Sequence, residues 1–369
     1  AYVVAMGMDR GTNEELVLSL GLADVLPAGG TAEGTRMKLR VITASAPSFF
    51  SALTLANNLL ERPLNLTHLK LLVFGQDLAK KGIGRHLDAL VRWREFRRTV
   101  YTAVAEDKAA TFLAALTAIK EEEVAKYLEL ALINQGITGL VPSSAQFLRF
   151  YNDIRSKSES PLAVMAAIRT KGSFSASAGK AATEAETPFR FAGAAVFKEG
   201  KMVGRLDLTE TMVTSFMRGD LKQAFITLPF PKETPYEMDL RVIPARKPKL
   251  YVMRDKKEIR LRLILFLRGE VVNIERTPGA EAPLSLPAVK KAFQEWIEKG
   301  CRQVLAKAQA WRADFIGFTH KARWLVPDWP AWSHWNWEAA FAEAPFELKV
   351  EASIGQTGLI LEKHNVREE

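Results

Sequence analysis

The sequence is nearly empty of cysteine: Cys301 is its single thiol in 369 residues. One thiol excludes an internal disulfide and a zinc cage built on several cysteines. Cys301 falls at helical spacing with Ile297, Val304 and Leu305, which predicts a buried, inert side chain. No apolar run reaches the roughly 18 residues that a transmembrane helix needs. No signal peptide is legible, and the chain opens on the strand-like Tyr2-Val3-Val4-Ala5-Met6, which reads as a mature or truncated start. Catalytic signatures are missing too. There is no Gly-x-Ser-x-Gly elbow, no dinucleotide fingerprint and no His-Glu-x-x-His. Gly179-Lys180 lacks the glycine spacing of a phosphate loop. The five histidines, His68, His86, His320, His334 and His364, are scattered without metal-ligand spacing. Glu121-Glu122-Glu123 reads as the solvated flank of a helix. The expectation is a protein without cofactor, metal or catalytic function.

What is present is ordinary globular material with a basic balance. The hydrophobic fraction is 48% and the charged fraction 25%, enough for more than one core. The net charge of +9 favours anionic partners, or serves solubility alone. Residues 1–158 alternate strand-like and helix-like stretches. Strands are expected at Tyr2–Gly7, Leu16–Ala23, Met37–Thr43, Leu69–Phe74 and Thr99–Ala105. Helices are expected at Ser48–Leu60, Gly84–Arg97 and Lys108–Ile119. Alternation of this kind predicts an α/β domain with a mixed sheet.

From 159 to 188 the composition turns to Ser, Ala, Gly, Lys, Glu and Thr, which reads as a linker or mobile loop. Phe191–Lys198 and Lys201–Leu208 then form a hairpin about Glu199-Gly200, followed by a helix and a short strand. This predicts a small central domain over 189–234. The remainder, 235–369, reads as a C-terminal α+β domain. Its strands are expected at Met238–Ile243, Leu250–Arg254, Glu258–Val272 and Phe346–Ile354, with a last one at Leu359–Leu361. A long helix opens at Pro287 and carries Val289, Phe293, Trp296, Ile297, Val304, Ala308 and Trp311 on one stripe. The whole is expected to be a mixed α/β (α+β) protein of three domains, each a mixed or antiparallel sheet packed with helices.

Three features single out candidate interaction residues. Arg92, Arg94, Arg97 and Arg98 lie within one short stretch. Positions 241–262 hold nine basic residues against two acidic ones, Asp255 and Glu258, with Lys247, Lys249, Lys256 and Lys257 the most prominent. Such clusters suit anionic lipid or an acidic protein, or are simply a solvated sheet face. A nucleic-acid partner is not expected, because only Tyr251 interleaves with these cations for base stacking. Six of the eight tryptophans lie between Trp311 and Trp337. Trp329, Trp332 and Trp335 are the candidate contacts among them, as interface anchors or as a sugar platform. With Pro327 and Pro330 nearby, the segment also reads as a packed, irregular core element with one or two exposed rings.

Several blocks taken in order resemble one family. The first runs from His68-Leu69-Lys70 through Phe74-Gly75-Gln76-Asp77-Leu78-Ala79 and Gly82. It continues through Leu87-Asp88, Arg92, Glu95, Arg97 and Arg98 to Val104-Ala105. The second is Gly193-Ala194-Ala195-Val196-Phe197-Lys198, then Lys201, Val203-Gly204, Leu206 and Glu210. The third is Asp314-Phe315-Ile316-Gly317-Phe318, then Pro327, Trp329, Trp337 and Phe341, with Val350, Ile354 and Gly358 after it. Together they resemble the C subunit of spore germinant receptors, the Ger(x)C lipoproteins of endospore-forming bacteria. The resemblance implies a non-catalytic, three-domain protein held by a lipid anchor at the outer face of the spore inner membrane. It also implies two integral membrane partners, the A and B subunits, and contact with an anionic membrane surface. The family's lipobox cysteine precedes the first strand, and no cysteine precedes Tyr2 here. The alternative is an extracytoplasmic sugar- or small-molecule-binding module built on the Trp-rich region.

Overall fold

The computed structural model describes residues 1–25, 37–119, 124–156, 159–168, 189–229, 236–255, 258–276 and 286–356. They fall into two compact units.

The first unit is built from β1 (Tyr2–Arg10), β2 (Leu16–Val25), β3 (Met37–Ala46), α1 (Phe49–Asn58), β4 (Leu71–Gly75), α2 (Gln76–Lys81), α3 (Gly84–Arg92), β5 (Tyr101–Ala105), α4 (Ala109–Leu116), α5 (Val124–Ile137), α6 (Phe147–Ser156), β6 (Leu162–Ile168), β7 (Phe189–Lys198) and β8 (Lys201–Leu206). The eight strands form one sheet in the order β3-β2-β1-β4-β5-β6-β7-β8. β1, β4, β5 and β6 run parallel at its centre, and antiparallel hairpins flank them. Parallel strands need crossover helices, and those helices cover both faces. Phe49, Leu53, Leu87, Leu90, Phe147 and Phe150 from α1, α3 and α6 pack with Met6, Met8 and Phe74. Phe112, Leu113, Leu128 and Leu132 from α4 and α5 pack with Val4, Ala5 and Val73 on the other side. That explains why β1 is an unbroken apolar run: Val3 through Met6 are buried whichever way they point.

Two details fix α4 on this sheet. A Cβ at Gly7 would sit 3.1 Å from the Ala109 Cβ, so the glycine lets the helix close on the strand. Asp9, at the end of β1 and 5% exposed, accepts from the Ala109 and Ala110 N–H groups at 2.7 and 2.8 Å. The carboxylate thus caps a helix a hundred residues away in sequence. Burial raises its pKa, opposed by those two bonds and by Lys108.

The second unit contains most of α7 (Leu208–Arg218), then β9 (Ala224–Pro229), β10 (Tyr236–Asp255), β11 (Glu258–Arg276), α8 (Leu286–Ala310), α9 (Phe318–Arg323), α10 (Trp329–His334), α11 (Trp337–Glu343) and β12 (Phe346–Gln356). Its sheet has four strands in the order β12-β11-β10-β9. α8 lies along one face. Its Val289, Phe293, Ile297, Cys301, Val304, Leu305 and Ala308 are buried, and Gln294 Nε2 donates to the Val350 carbonyl at 2.8 Å. Burial pushes the Cys301 thiol far up, which leaves it unreactive.

The α/β class agrees with the sequence reading; the partition differs from it. The expected linker 159–188 begins with β6, a short apolar strand buried between β5 and β7. Its small Ala-rich run gives a weak strand signal beside the Ser/Gly-rich residues, and 169–188 lie outside the described residues. The expected central domain 189–234 is divided. β7 and β8 extend the eight-stranded sheet, whereas β9 pairs with β10. The hairpin turn is placed as expected, with φ of 49° at Glu199 and 78° at Gly200. The two strands expected at 238–243 and 250–254 are one. Pro244 and Pro248 lack an N–H, and the ladder shifts register there instead of stopping. The expected helix 84–97 stops at Arg92, where Trp93 turns to extended geometry. The strand expected at 359–361 lies outside the described residues.

Candidate functional site

The arginine cluster sits on an anchored turn. Beyond α3, the Trp93 N–H donates to the Leu90 carbonyl, Phe96 to Trp93 and Val100 to Arg97. Phe96 is buried and meets Phe147 edge-on, with ring centroids 4.6 Å apart. Trp93 lies over Phe50 at 5.4 Å. The apolar side chains hold the turn down, and Arg92, Arg94, Arg97 and Arg98 all point to solvent. None of the four is ion-paired among the described residues. Leu148, itself exposed, donates its N–H to the Arg98 carbonyl at 3.1 Å. The cluster therefore precedes β5 at the end of the sheet where β1 and β4 also begin.

The basic residues of 241–262 are arranged differently from what their sequence window suggests. The solvent face of the four-stranded sheet brings acids from β11 and β12 alongside them. Arg241 lies 3.7 Å from Glu270, Arg246 3.9 Å from Glu351 and Arg262 3.4 Å from Glu347. The Arg262 contact is an ion pair without hydrogen-bond alignment, since its Nε has no hydrogen-bond partner. Arg246 also covers the Phe266 ring at 4.3 Å, with Lys249 at 5.8 Å. Glu351 is held below its usual pKa by Lys349 and the neighbouring cations. Lys247 and Lys249 are exposed on β10, and Lys256 and Lys257 lie outside the described residues. The local surplus of positive charge is thus partly cancelled by strand neighbours.

One end of that face opens into a cleft of about 380 Å³ lined by Gln223, Phe225, Arg241, Glu270 and Val272. Arg241 donates twice to Gln223 Oε1, at 3.0 and 2.7 Å. Glu270 also faces Arg268 at 3.5 Å. The guanidinium is already engaged, and Phe225 and Val272 stand open to solvent.

The tryptophans form a graded cluster rather than a platform. Trp337 is buried, donates Nε1–H to Thr319 Oγ1 at 2.9 Å, and packs with Phe341 at 5.9 Å. Trp332 and Trp335 are half-buried against it, at 6.3 and 5.3 Å. Arg254 covers Trp335 at 5.7 Å. Trp329 is exposed, and Trp324, absent from the candidate residues chosen on sequence, is the most exposed of all. Its signal was available in principle: Trp324-Leu325-Val326-Pro327 is an apolar run directly after a basic helical turn.

Reactive chemistry is sparse. No group of three potential metal ligands occurs among the described residues. His86 is buried, and desolvation together with Arg85 lowers its pKa to about 4.

Comparison with known proteins accounts for nearly the whole chain. Residues 1–168 match the family described as spore germination protein N-terminal domain. Residues 192–358 match the family described as spore germination B3/GerAC like, C-terminal. Spore germination protein GerQC of Bacillus cereus is 21% identical over 326 residues, covering 88% of this chain and 85% of that protein. The crystal structure of the GerBC protein has the same fold. Its TM-score is 0.58 at 17% identity, over 95% of this chain and 96% of that one.

Proposed function

The chain belongs to the Ger(x)C family of germinant-receptor C subunits and has a role in spore germination, and we propose that it acts as the non-catalytic C subunit of a nutrient receptor. In this reading it assembles with the integral membrane A and B subunits. A lipid anchor ahead of β1 holds it at the outer face of the spore inner membrane. The observation that carries the reading is the order and extent of the family matches: residues 1–168 and then 192–358, leaving little of the chain unexplained.

The geometry supports the membrane-facing part. Ala1 and Tyr2 lie at the start of β1, at the same end of the eight-stranded sheet as Arg97 and Arg98. A tether at that end brings exposed guanidinium groups toward anionic headgroups, where each basic residue contributes about 1 kcal/mol. A single acyl chain binds a membrane only marginally, so such help matters. No helix among the described residues is long and apolar enough to cross a membrane.

The experiment is genetic. Spores lacking this gene are expected to lose their response to at least one nutrient and to regain it on complementation. A null strain that germinates normally on every nutrient that triggers the parent would refute the proposal.

A further inference from the structure

The segment joining α9 to α10 carries an apolar tip that its own unit leaves uncovered. Trp324 is 86% exposed, Trp329 59% and Leu325 36%. Single exposed apolar residues need no explanation, but two open indoles and a leucine within six positions do. The tip is also stiff. The Trp324 and Leu325 N–H groups donate to Lys321 and Ala322 at 3.2 and 2.9 Å, closing the end of α9. Asp328 caps α10 by accepting from the Ala331 N–H at 2.8 Å, and Pro330 sits in its first turn. Arg323 lies 5.7 Å from the Trp329 ring and 5.9 Å from Trp332, so the rings are held in place.

The charge carried by this stretch of chain has one prevailing sign. Lys321 and Arg323 occupy the last turn of α9. Between residues 318 and 334 the only acid is Asp328, and its carboxylate is occupied in capping. An indole has an apolar body and one N–H, and it settles at the headgroup level of a bilayer. Neighbouring Lys and Arg are drawn to an anionic leaflet. A small-molecule site would be concave and enclose its ligand, whereas these rings protrude.

We propose that Trp324, Leu325 and Trp329 form a membrane-contact tip that enters the headgroup region of an anionic bilayer, with Lys321 and Arg323 facing lipid phosphates. This rests on the reading that the chain works at a membrane surface, and it names an element that touches that surface.

The test uses the purified chain with vesicles of phosphatidylcholine and phosphatidylglycerol carrying brominated acyl chains. Tryptophan fluorescence is expected to be quenched, less so at high salt or on phosphatidylcholine alone. The W324A/W329A variant removes only surface rings and should keep the wild-type circular dichroism. Each ring is expected to contribute about tenfold or more in partitioning. The proposal is overturned if the variant binds as the wild type does, if the wild type is not quenched, or if only reversal of Arg94, Arg97 and Arg98 abolishes binding. Recovery of the A and B subunits in a separate pull-down reports on the receptor reading. Quenching that depends on the two rings, without recovery of those subunits, would sink that reading and leave the tip standing. Recovery lost in W324A/W329A, with vesicle binding unchanged, would make the tip a protein contact and overturn the proposal.

Discussion

Removing the Asp9 carboxylate should loosen α4 from the large sheet. Asp9→Ala deletes the acceptors of the Ala109 and Ala110 N–H groups, at 2.7 and 2.8 Å, in a site only 5% open to solvent. Loss of a cap costs about 0.5–2 kcal/mol, and a buried N–H left unpaired about 1–3 kcal/mol. Relief of the buried charge and entry of water into the vacated space offset part of that. A net loss of about 2 kcal/mol is expected. The pH dependence follows from the raised pKa of Asp9. The folded state binds this proton more tightly than the unfolded state does. The contribution is therefore complete below the ordinary carboxylate value of 3.8 and declines as pH rises through the higher folded value. The wild-type advantage over Asp9→Ala should be larger near pH 4 than at pH 7. Urea denaturation at both pH values, with hydrogen exchange of residues 109–116, reads the effect. A loss below about 0.5 kcal/mol with unchanged exchange would refute the capping argument. An advantage that grows with pH would show that the two hydrogen bonds outweigh desolvation.

Other consequences are equally direct. Gly204→Ala places a methyl group against the Trp311 indole and should lower stability by about 1–3 kcal/mol in urea melts. Gly84→Ala, which meets nothing, should gain a few tenths to about 1 kcal/mol in the same assay. His86, with its pKa lowered to about 4, stays neutral in the folded protein while the unfolded chain protonates near 6.5. Stability should fall by up to about 3 kcal/mol as pH drops from 6.5 to 4, and His86→Gln should flatten that slope. Cys301, 0% exposed, should resist a thiol reagent in native buffer and react once denaturant unfolds its unit. Trp337→Phe should lose about 1–2 kcal/mol through the missing bond to Thr319, seen as a lower melting temperature.

The elements with strong periodicity or turn chemistry were legible in the sequence. The apolar stripe of α8, the Glu199-Gly200 hairpin and the apolar run of β1 each announce themselves within one window. What escaped depends on partners distant in sequence. β6 is a strand because β5 and β7 lie on either side of it, and its Ala-rich residues show little of this alone. The window at 241–262 looked strongly basic because Glu347 and Glu351 reach it only through parallel pairing of β12 with β11. The arginine turn keeps its exposed charge because Phe96 anchors it from below, which spacing alone cannot reveal. The tryptophans were visible as a cluster, but which rings are exposed was decided by packing around Trp337 and Thr319.

The most direct test of the receptor assignment is co-purification. This chain, with a lipidated N-terminus, serves as bait in detergent-solubilised spore membranes, and the A and B subunits are sought by mass spectrometry. The account predicts that both are recovered, in comparable amounts and above a control bait of unrelated lipoprotein. Recovery of neither, from a bait whose circular dichroism shows it folded, would contradict the assignment and leave the family likeness as one of fold.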